Sequence, residues 1–252
     1  MIRRRFGLIG FPLGHSFSKK YFEDKFISEN ITDTEFLNFE MQRLDNLFLL
    51  IDENPLLHGF TVTIPHKSSI LPFMNTLSDE VREIGSLNVV KIQRTDKTIE
   101  LHGFNTDVFG FEKSLCEHWQ PHHHSALILG TGGSAKAVAY VLRKMKITYS
   151  FVSRTPFGEH AIAYHHLNKE IIKSNPLIIN TTPLGMSPDT DSCPDIPYNF
   201  LTDKHFLFDL VYNPTQTLFL QKGLQQGTLA CNGYDMLRYQ ADQAWKIWNE
   251  NR

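Results

Sequence analysis

Two loops carry most of the chemistry that the residue types allow. Gly10-Phe-Pro-Leu-Gly-His-Ser16-Phe-Ser18 follows an apolar run and offers two closely spaced hydroxyls to a small polar ligand. Gly130-Thr131-Gly132-Gly133-Ser134-Ala135 lies between the strand-like Ala126-Leu-Ile-Leu129 and an amphipathic run from Ser134 to Lys146. That context is the dinucleotide fingerprint. Its glycines let the backbone turn tightly and approach a pyrophosphate, and the helix N-terminus adds N–H groups and a favourable dipole. Together the loops suggest a dinucleotide enzyme acting on a small hydroxylated acid.

About 20 residues beyond such a fingerprint, an NAD enzyme places a carboxylate on the ribose hydroxyls. Here that position reads Ser153-Arg154-Thr155. A carboxylate would repel a 2′-phosphate, whereas a guanidinium pairs with it through two parallel hydrogen bonds, so Arg154 argues for NADP over NAD.

Thr61-Val-Thr63-Ile-Pro65-His-Lys67 ends a strand, and Pro65 suits the first position of a following helix. Lys67 then falls in the first turn, where a cation opposes the helix dipole at a cost of about a few tenths of a kcal/mol. Helix stability does not account for it, so it is either solvated or in use. Asn88 sits in a strand-like segment, and its amide needs partners there, from a turn or a ligand. In Asn105-Thr106-Asp107, either Thr106 or Asp107 is placed to cap the helix that follows. Gln240 lies on the apolar stripe of the last helix, Tyr234 to Asn249, beside Leu237, Ala241, Ala244, Trp245 and Trp248. Its amide bonds core backbone or lines a ligand site.

The elements that must hold these residues alternate. Strand-like and helix-like runs follow one another at Phe6–Gly10, Phe17–Ser28, Glu35–Phe39, Gln42–Asp52 and Gly59–Ile64, as parallel βαβ units require. Leu87–Gln93 and Ile99–Phe104 are expected to pair as a hairpin-like edge. A second alternating series runs from Ala126 through Tyr149–Ser153 and Leu177–Asn180 to Phe206–Asp209. The expectation is an α/β protein of two domains, with a boundary near Asn105. His122, His123 and His124 fall in a connector and read as a solvated loop, since adjacent residues on an extended chain do not face one metal.

Composition narrows the partners. The 252 residues suffice for two modest cores. With 25 basic and 27 acidic residues and no long block of one sign, there is no electrostatic footprint for nucleic acid. A small molecule is the expected partner. No apolar run approaches the roughly 18 residues of a membrane span. The glycine and proline in Phe6–Leu13 argue against a signal peptide, and three widely spaced cysteines fit a reducing cytoplasm.

With these segments in hand, the chain resembles the shikimate dehydrogenase family nearly end to end. The substrate-side motifs are Gly10 to Ser18, Thr61 to Lys67, Leu87-Asn88 and Gly103-Phe-Asn-Thr-Asp107. The cofactor-side motifs are Gly130 to Gly133, Ser153-Arg-Thr155 and Asn180-Thr181-Thr-Pro-Leu-Gly-Met186. Asp209-Leu-Val-Tyr212-Asn-Pro, Asn232-Gly233-Tyr-Asp-Met236-Leu and Gln240-Ala241 complete the match.

The resemblance implies reversible NADPH-dependent reduction of 3-dehydroshikimate to shikimate, a step of chorismate and aromatic amino-acid biosynthesis. It implies an N-terminal α/β substrate domain, residues 1–104 completed by a C-terminal helix over 234–252, and a Rossmann-type NADP domain over 105–233. Ser16 and Ser18 would hold the substrate carboxylate. Thr63, Asn88, Asp107 and Gln240 would meet its ring hydroxyls, Tyr212 would add a further contact, and Lys67 beside Asp107 would be the acid–base residue. Gly130, Thr131, Gly132, Gly133, Ser134, Ser153, Arg154, Thr155, Asn180, Thr181, Gly233 and Met236 would serve NADP(H), the last two at the nicotinamide. No metal is implied.

The chain departs from the family pattern in places. Thr61 stands where the family usually has asparagine, Lys19 where it has proline, and Pro156-Phe-Gly-Glu159 where a second basic residue often follows the arginine. A relaxed cofactor preference or acceptance of quinate is the neighbouring alternative, and a non-catalytic metabolite-binding homologue is the other.

Overall fold

The computed structural model describes residues 1–14, 17–156, 158 and 161–250, and these form two compact units. The first unit comprises Met1–Thr106 and Gln240–Arg252, and the second Asp107–Tyr239.

The first unit runs β1 (Arg4–Gly10), α1 (Phe17–Ser28), β2 (Thr34–Glu40), α2 (Leu47–Glu53), β3 (Leu57–Val62), β4 (Thr76–Leu77), α3 (Asp79–Ile84), β5 (Val89–Arg94) and β6 (Ile99–Phe104). Its sheet has the order β2-β1-β3-β5-β6-β4. β1 pairs parallel with β2 and β3, β3 pairs antiparallel with β5, and β5 and β6 form the hairpin. The hairpin is not the edge as expected, because β4 adds outside β6 in parallel. A two-residue strand has no periodicity to betray it.

Alternating side chains feed two cores. Ile9, Phe60 and Val62 pack on one face with Leu47, Ile51 and Val81, while Phe6, Leu8 and Phe36 face Phe22, Phe26, Ala244 and Trp248 on the other. The second unit supplies the first part of α8 (Tyr234–Asn249), and the helix ends in the first unit. There Trp248 stacks on Phe6 and its indole N–H donates to Val90 O at 3.0 Å. Only a glycine at 59 leaves room for that ring. Tyr234, placed on the apolar stripe by its spacing, is exposed instead.

The second unit runs α4 (Asp107–Cys116), β7 (Ser125–Leu129), α5 (Gly133–Lys144), β8 (Thr148–Ser153), β9 (Ala161–Ala163), α6 (Lys169–Ser174), β10 (Leu177–Asn180), β11 (Phe206–Asp209), α7 (Leu218–Leu224) and β12 (Leu229–Cys231), and then enters α8. Its sheet is parallel throughout in the order β12-β11-β10-β7-β8-β9, the doubly wound arrangement. β7, β10 and β11 are nearly continuous runs of fully buried residues, as strands covered on both faces require.

Three local expectations need correction. No helix begins at Pro65: residues 64–70 are turns, and the hydroxyls of Ser68 and Ser69 bond Gly85 O and His66 O, local bonds that compete with a helical ladder. The helix expected from Gln42 begins only at Leu47, after a turn in which Arg43 pairs with Asp45. In the histidine run, His123 is buried rather than solvated. Its ring lies against Phe206, its Nδ1 accepts from the Gln120 N–H, and burial pushes its pKa down to about 4.

Candidate active site

In the first unit, the loop after β1 is laced to the two segments beside it. Leu13 N–H donates to Glu40 Oε1 at 2.7 Å, Phe11 N–H to Ile64 O at 3.0 Å, and Met41 N–H to Gly10 O at 3.0 Å. A Cβ on Gly10 would collide with the Thr63 methyl, so glycine there lets the end of β1 lie against Thr63. His66, buried below, bonds Met41 O through Nε2 at 2.6 Å and ties the turn that carries Lys67 to the end of β2. Lys67 is half-buried, and its carbonyl accepts from Leu87 N–H at 2.8 Å, which sets it next to the Asn88 segment. Ser18 is half-buried in the first turn of α1, and Ser16 lies outside the described residues. Thr61, where the family usually has asparagine, donates its hydroxyl to Gly7 O at 3.3 Å within the sheet.

Asn88 is only 4% exposed, and its amide bonds both Thr106 and Gln240. Its Oδ1 accepts from Thr106 N–H at 2.7 Å, and its Nδ2 donates to Thr106 Oγ1 and to Gln240 Oε1, each at 3.0 Å. The sequence left Gln240 between core backbone and a ligand site. It bonds another side chain, and so α8 is fixed to the residue that opens β5.

In the second unit, Asp107 is buried at the start of α4. The glycine turn after β7 crosses close to β10: Gly130 has φ +106°, and a Cβ there would lie 2.8 Å from Thr181 Oγ1. Thr181 itself donates its hydroxyl to Leu129 O at 2.7 Å. Gly132 is different. It is exposed, has φ −73°, and a Cβ on it would meet nothing within 4 Å, so the fold itself does not demand glycine there. It caps α5 with no side-chain bond, at the point where the strand order reverses between β7 and β10. An open glycine at a helix N-terminus fits a pyrophosphate, which needs backbone approach and the positive end of the dipole. At the end of β8, Ser153 Oγ accepts from Thr155 N–H at 3.2 Å, and Arg154 is exposed between them. The residues present therefore fit NADP(H).

Past β10, Asn180 is fully buried. It donates to Asp209 Oδ1 at 2.9 Å and accepts from the Thr182 N–H and hydroxyl at 3.0 and 2.7 Å, so it shapes the turn rather than reaching out of it. Gly233 N–H donates to Val211 O at 3.1 Å, and a Cβ at Gly233 would collide with Leu210 O. Met236 is buried in α8, one residue before Leu237, and Tyr212 lies in the loop after β11. Two residues that periodicity did not single out are Asp209 and Thr217. Burial raises the Asp209 carboxyl to about 6 although three donors contact it. A polar residue closing the apolar Phe206–Asp209 strand was the available signal.

No helix among the described residues is long and apolar enough to cross a membrane. Comparison with known proteins agrees with the geometry. Residues 8–90 match the family model for the shikimate dehydrogenase substrate binding domain. The chain is 35% identical to a shikimate dehydrogenase (NADP(+)) of Methanococcus maripaludis over 96% of its own length and 90% of the relative's. It is similar to a crystal structure of a shikimate dehydrogenase in complex with NADP+, with TM-score 0.85 and 30% identity over 99% of this chain and 92% of that one. The enzyme of Thermus thermophilus, solved with NADP(H) and shikimate, has TM-score 0.84 and 27% identity over 98% and 93% of the two chains. Alike in sequence over nearly its whole length and in the course of both sheets, this chain belongs to the shikimate dehydrogenase family.

Proposed function

We propose that this protein is an NADP-dependent shikimate dehydrogenase, catalysing the reversible reduction of 3-dehydroshikimate to shikimate. The observation that carries the reading is the glycine turn of a family member, open at Gly132 where the fold leaves the choice of residue free, followed by Arg154 at the end of the next strand. The unit over 1–106 and 240–252 binds the substrate, and the unit over 107–239 binds the cofactor.

Ser16 and Ser18 donate their hydroxyls to the substrate carboxylate. Thr63, Asp107, Tyr212 and Gln240 meet the ring hydroxyls, and Asn88 orients Gln240 through the 3.0 Å bond between their amides. Gly130, Thr131, Gly132, Gly133 and Ser134 would cradle the pyrophosphate, Ser153, Arg154 and Thr155 would take the 2′-phosphate, and Thr181, Gly233 and Met236 would surround the nicotinamide, with Asn180 shaping the turn that carries Thr181. When bound, NADPH supplies the hydride for the carbonyl carbon. Lys67 donates a proton from Nζ to the carbonyl oxygen and takes it back from the hydroxyl in the reverse direction, and Asp107 orients its ammonium. Three cysteines at wide spacing, with no CxxC pair, support a reducing compartment, the cytoplasm.

The test is Lys67→Met. The variant should lose about 10²- to 10⁴-fold in kcat, with shikimate affinity within a few-fold of the parent. Near-normal turnover would refute the role of Lys67.

A further inference from the structure

The loops after β10 and β11 are tied through one buried carboxylate. Asp209 is fully buried, accepts from Asn180 Nδ2 and Val211 N–H on Oδ1 at 2.9 and 3.0 Å, and accepts from Thr217 Oγ1 on Oδ2 at 2.5 Å. Thr217 also caps α7 by accepting from Leu220 N–H, and Asn180 holds Thr182. Around this hub, Leu210 N–H donates to Asn180 O and Ser187 N–H to Asn213 O, and Gly233 N–H reaches Val211 O. Asp209 therefore anchors the turn after β10, the loop 210–217 and, through Thr217, the start of α7, and the approach to α8 joins them through Val211 O.

Burying a carboxylate with no cation beside it among the described residues is unfavourable, and burial pushes its pKa up to about 6. A neutral packing residue would be the simpler choice for stability alone. The position of the hub supplies a reason. With the sheet order β12-β11-β10-β7-β8-β9, a bound NADP(H) whose 2′-phosphate met Arg154 at the end of β8 would extend its nicotinamide half to the other side of β7, toward the ends of β10 and β11. Those are the strands that Asp209 joins. We propose that Asp209 is a positioning residue for the nicotinamide half of the site, acting through Asn180 and Thr217 on the loops that carry Thr181, Tyr212 and Gly233.

This rests on the NADP reading above, and two probes separate the two. Adenosine 2′,5′-bisphosphate reports only the Arg154 side, while NADPH reports both sides. Asp209→Ala, which leaves three buried donors unpartnered, should lower kcat with shikimate by about ten-fold or more and weaken NADPH, with adenosine 2′,5′-bisphosphate affinity within about two-fold of the parent. Asp209→Asn, which keeps Oδ1 as acceptor for Asn180 and Val211 and replaces the Thr217 bond with one donated by its own Nδ2 to the hydroxyl oxygen, should recover most of both. Should Asp209→Ala not fold, Thr217→Val removes one donor to Asp209 together with the cap on Leu220 N–H, and is expected to show the same split at about three-fold. Unchanged kcat and NADPH affinity in these variants, or equal loss of both probes, would overturn the proposal. A parent protein that binds NADPH without oxidising shikimate would instead count against the assigned reaction, and the hub would then be judged by the split between the two affinities.

Discussion

Asn88 Nδ2 and Gln240 Oε1 lie 3.0 Å apart, a bond between residues 152 positions apart in the chain that fixes the C-terminal helix to the start of β5. Because Asn88 also accepts from the Thr106 N–H, its amide is a joint for three segments. Asn88→Ala leaves that buried N–H and the Gln240 amide without their partner. A loss of about 1 to 3 kcal/mol in urea unfolding is expected, together with a raised KM for shikimate. Unchanged stability would mean that the joint is dispensable.

Gly130 and Gly132 should separate folding from binding. Gly130→Ala meets a positive φ and the Thr181 hydroxyl, so a lowered Tm is expected. Gly132→Ala meets neither, and by restricting the unfolded chain should leave Tm unchanged or slightly raised while NADPH titration shows weakened binding. A Gly132→Ala protein with parental NADPH affinity would remove Gly132 from the pyrophosphate site.

Arg154 is exposed and shares its turn with no second basic residue before Gly158. A charge-assisted pair with phosphate contributes about 1.5 to 3 kcal/mol, so Arg154→Gln should raise KM for NADP+ by about 10- to 100-fold and leave NAD+ within two-fold. Equal effects on both cofactors would place Arg154 away from the 2′-phosphate.

His123 sets a pH dependence. In the native state it stays neutral down to about 4, whereas in the unfolded chain it protonates near its ordinary value of 6.5. The unfolded state therefore binds more protons between these values. The contribution is present above pH 6.5 and is lost as pH falls from 6.5 toward 4. His123→Asn, which can still accept from the Gln120 N–H, should show a smaller shift in urea midpoint between pH 7 and pH 5 than the parent. An equal shift in the two proteins would contradict the buried neutral ring.

Asp209 acts in the opposite sense. Its carboxyl is raised to about 6, so its contribution is present at low pH and lost as pH rises through 6. Asp209→Asn should gain stability relative to the parent on going from pH 4 to pH 7, measured by the same urea titrations. A constant difference across that range would show that the carboxyl does not titrate there.

Much of the fold was legible because periodicity and capping agree in the long elements. The apolar spacing of α8 and the strand, glycine turn and helix around Gly130 read directly, since each carries its own local pattern. Pro65 misled because a residue suited to begin a helix was followed by Ser68 and Ser69, whose hydroxyls found other carbonyls. A run of three histidines carries no sign that its middle residue, His123, turns inward against Phe206 of β11. Of the proposed site, the motifs point to Thr63, Lys67, Asn88 and Gly132 because each lies in a short segment with its own local pattern. The Asp209 hub stayed hidden because its partners Asn180 and Thr217 come from other segments, and only tertiary structure brings their donors to one carboxylate.

The central claim is tested most directly by steady-state turnover of the purified protein with shikimate or quinate, each with NADP+ or NAD+, following reduced nicotinamide by absorbance. Rapid turnover confined to shikimate with NADP+ is the expected result. Preference for quinate or NAD+, or no turnover with any of the four pairs, would contradict it.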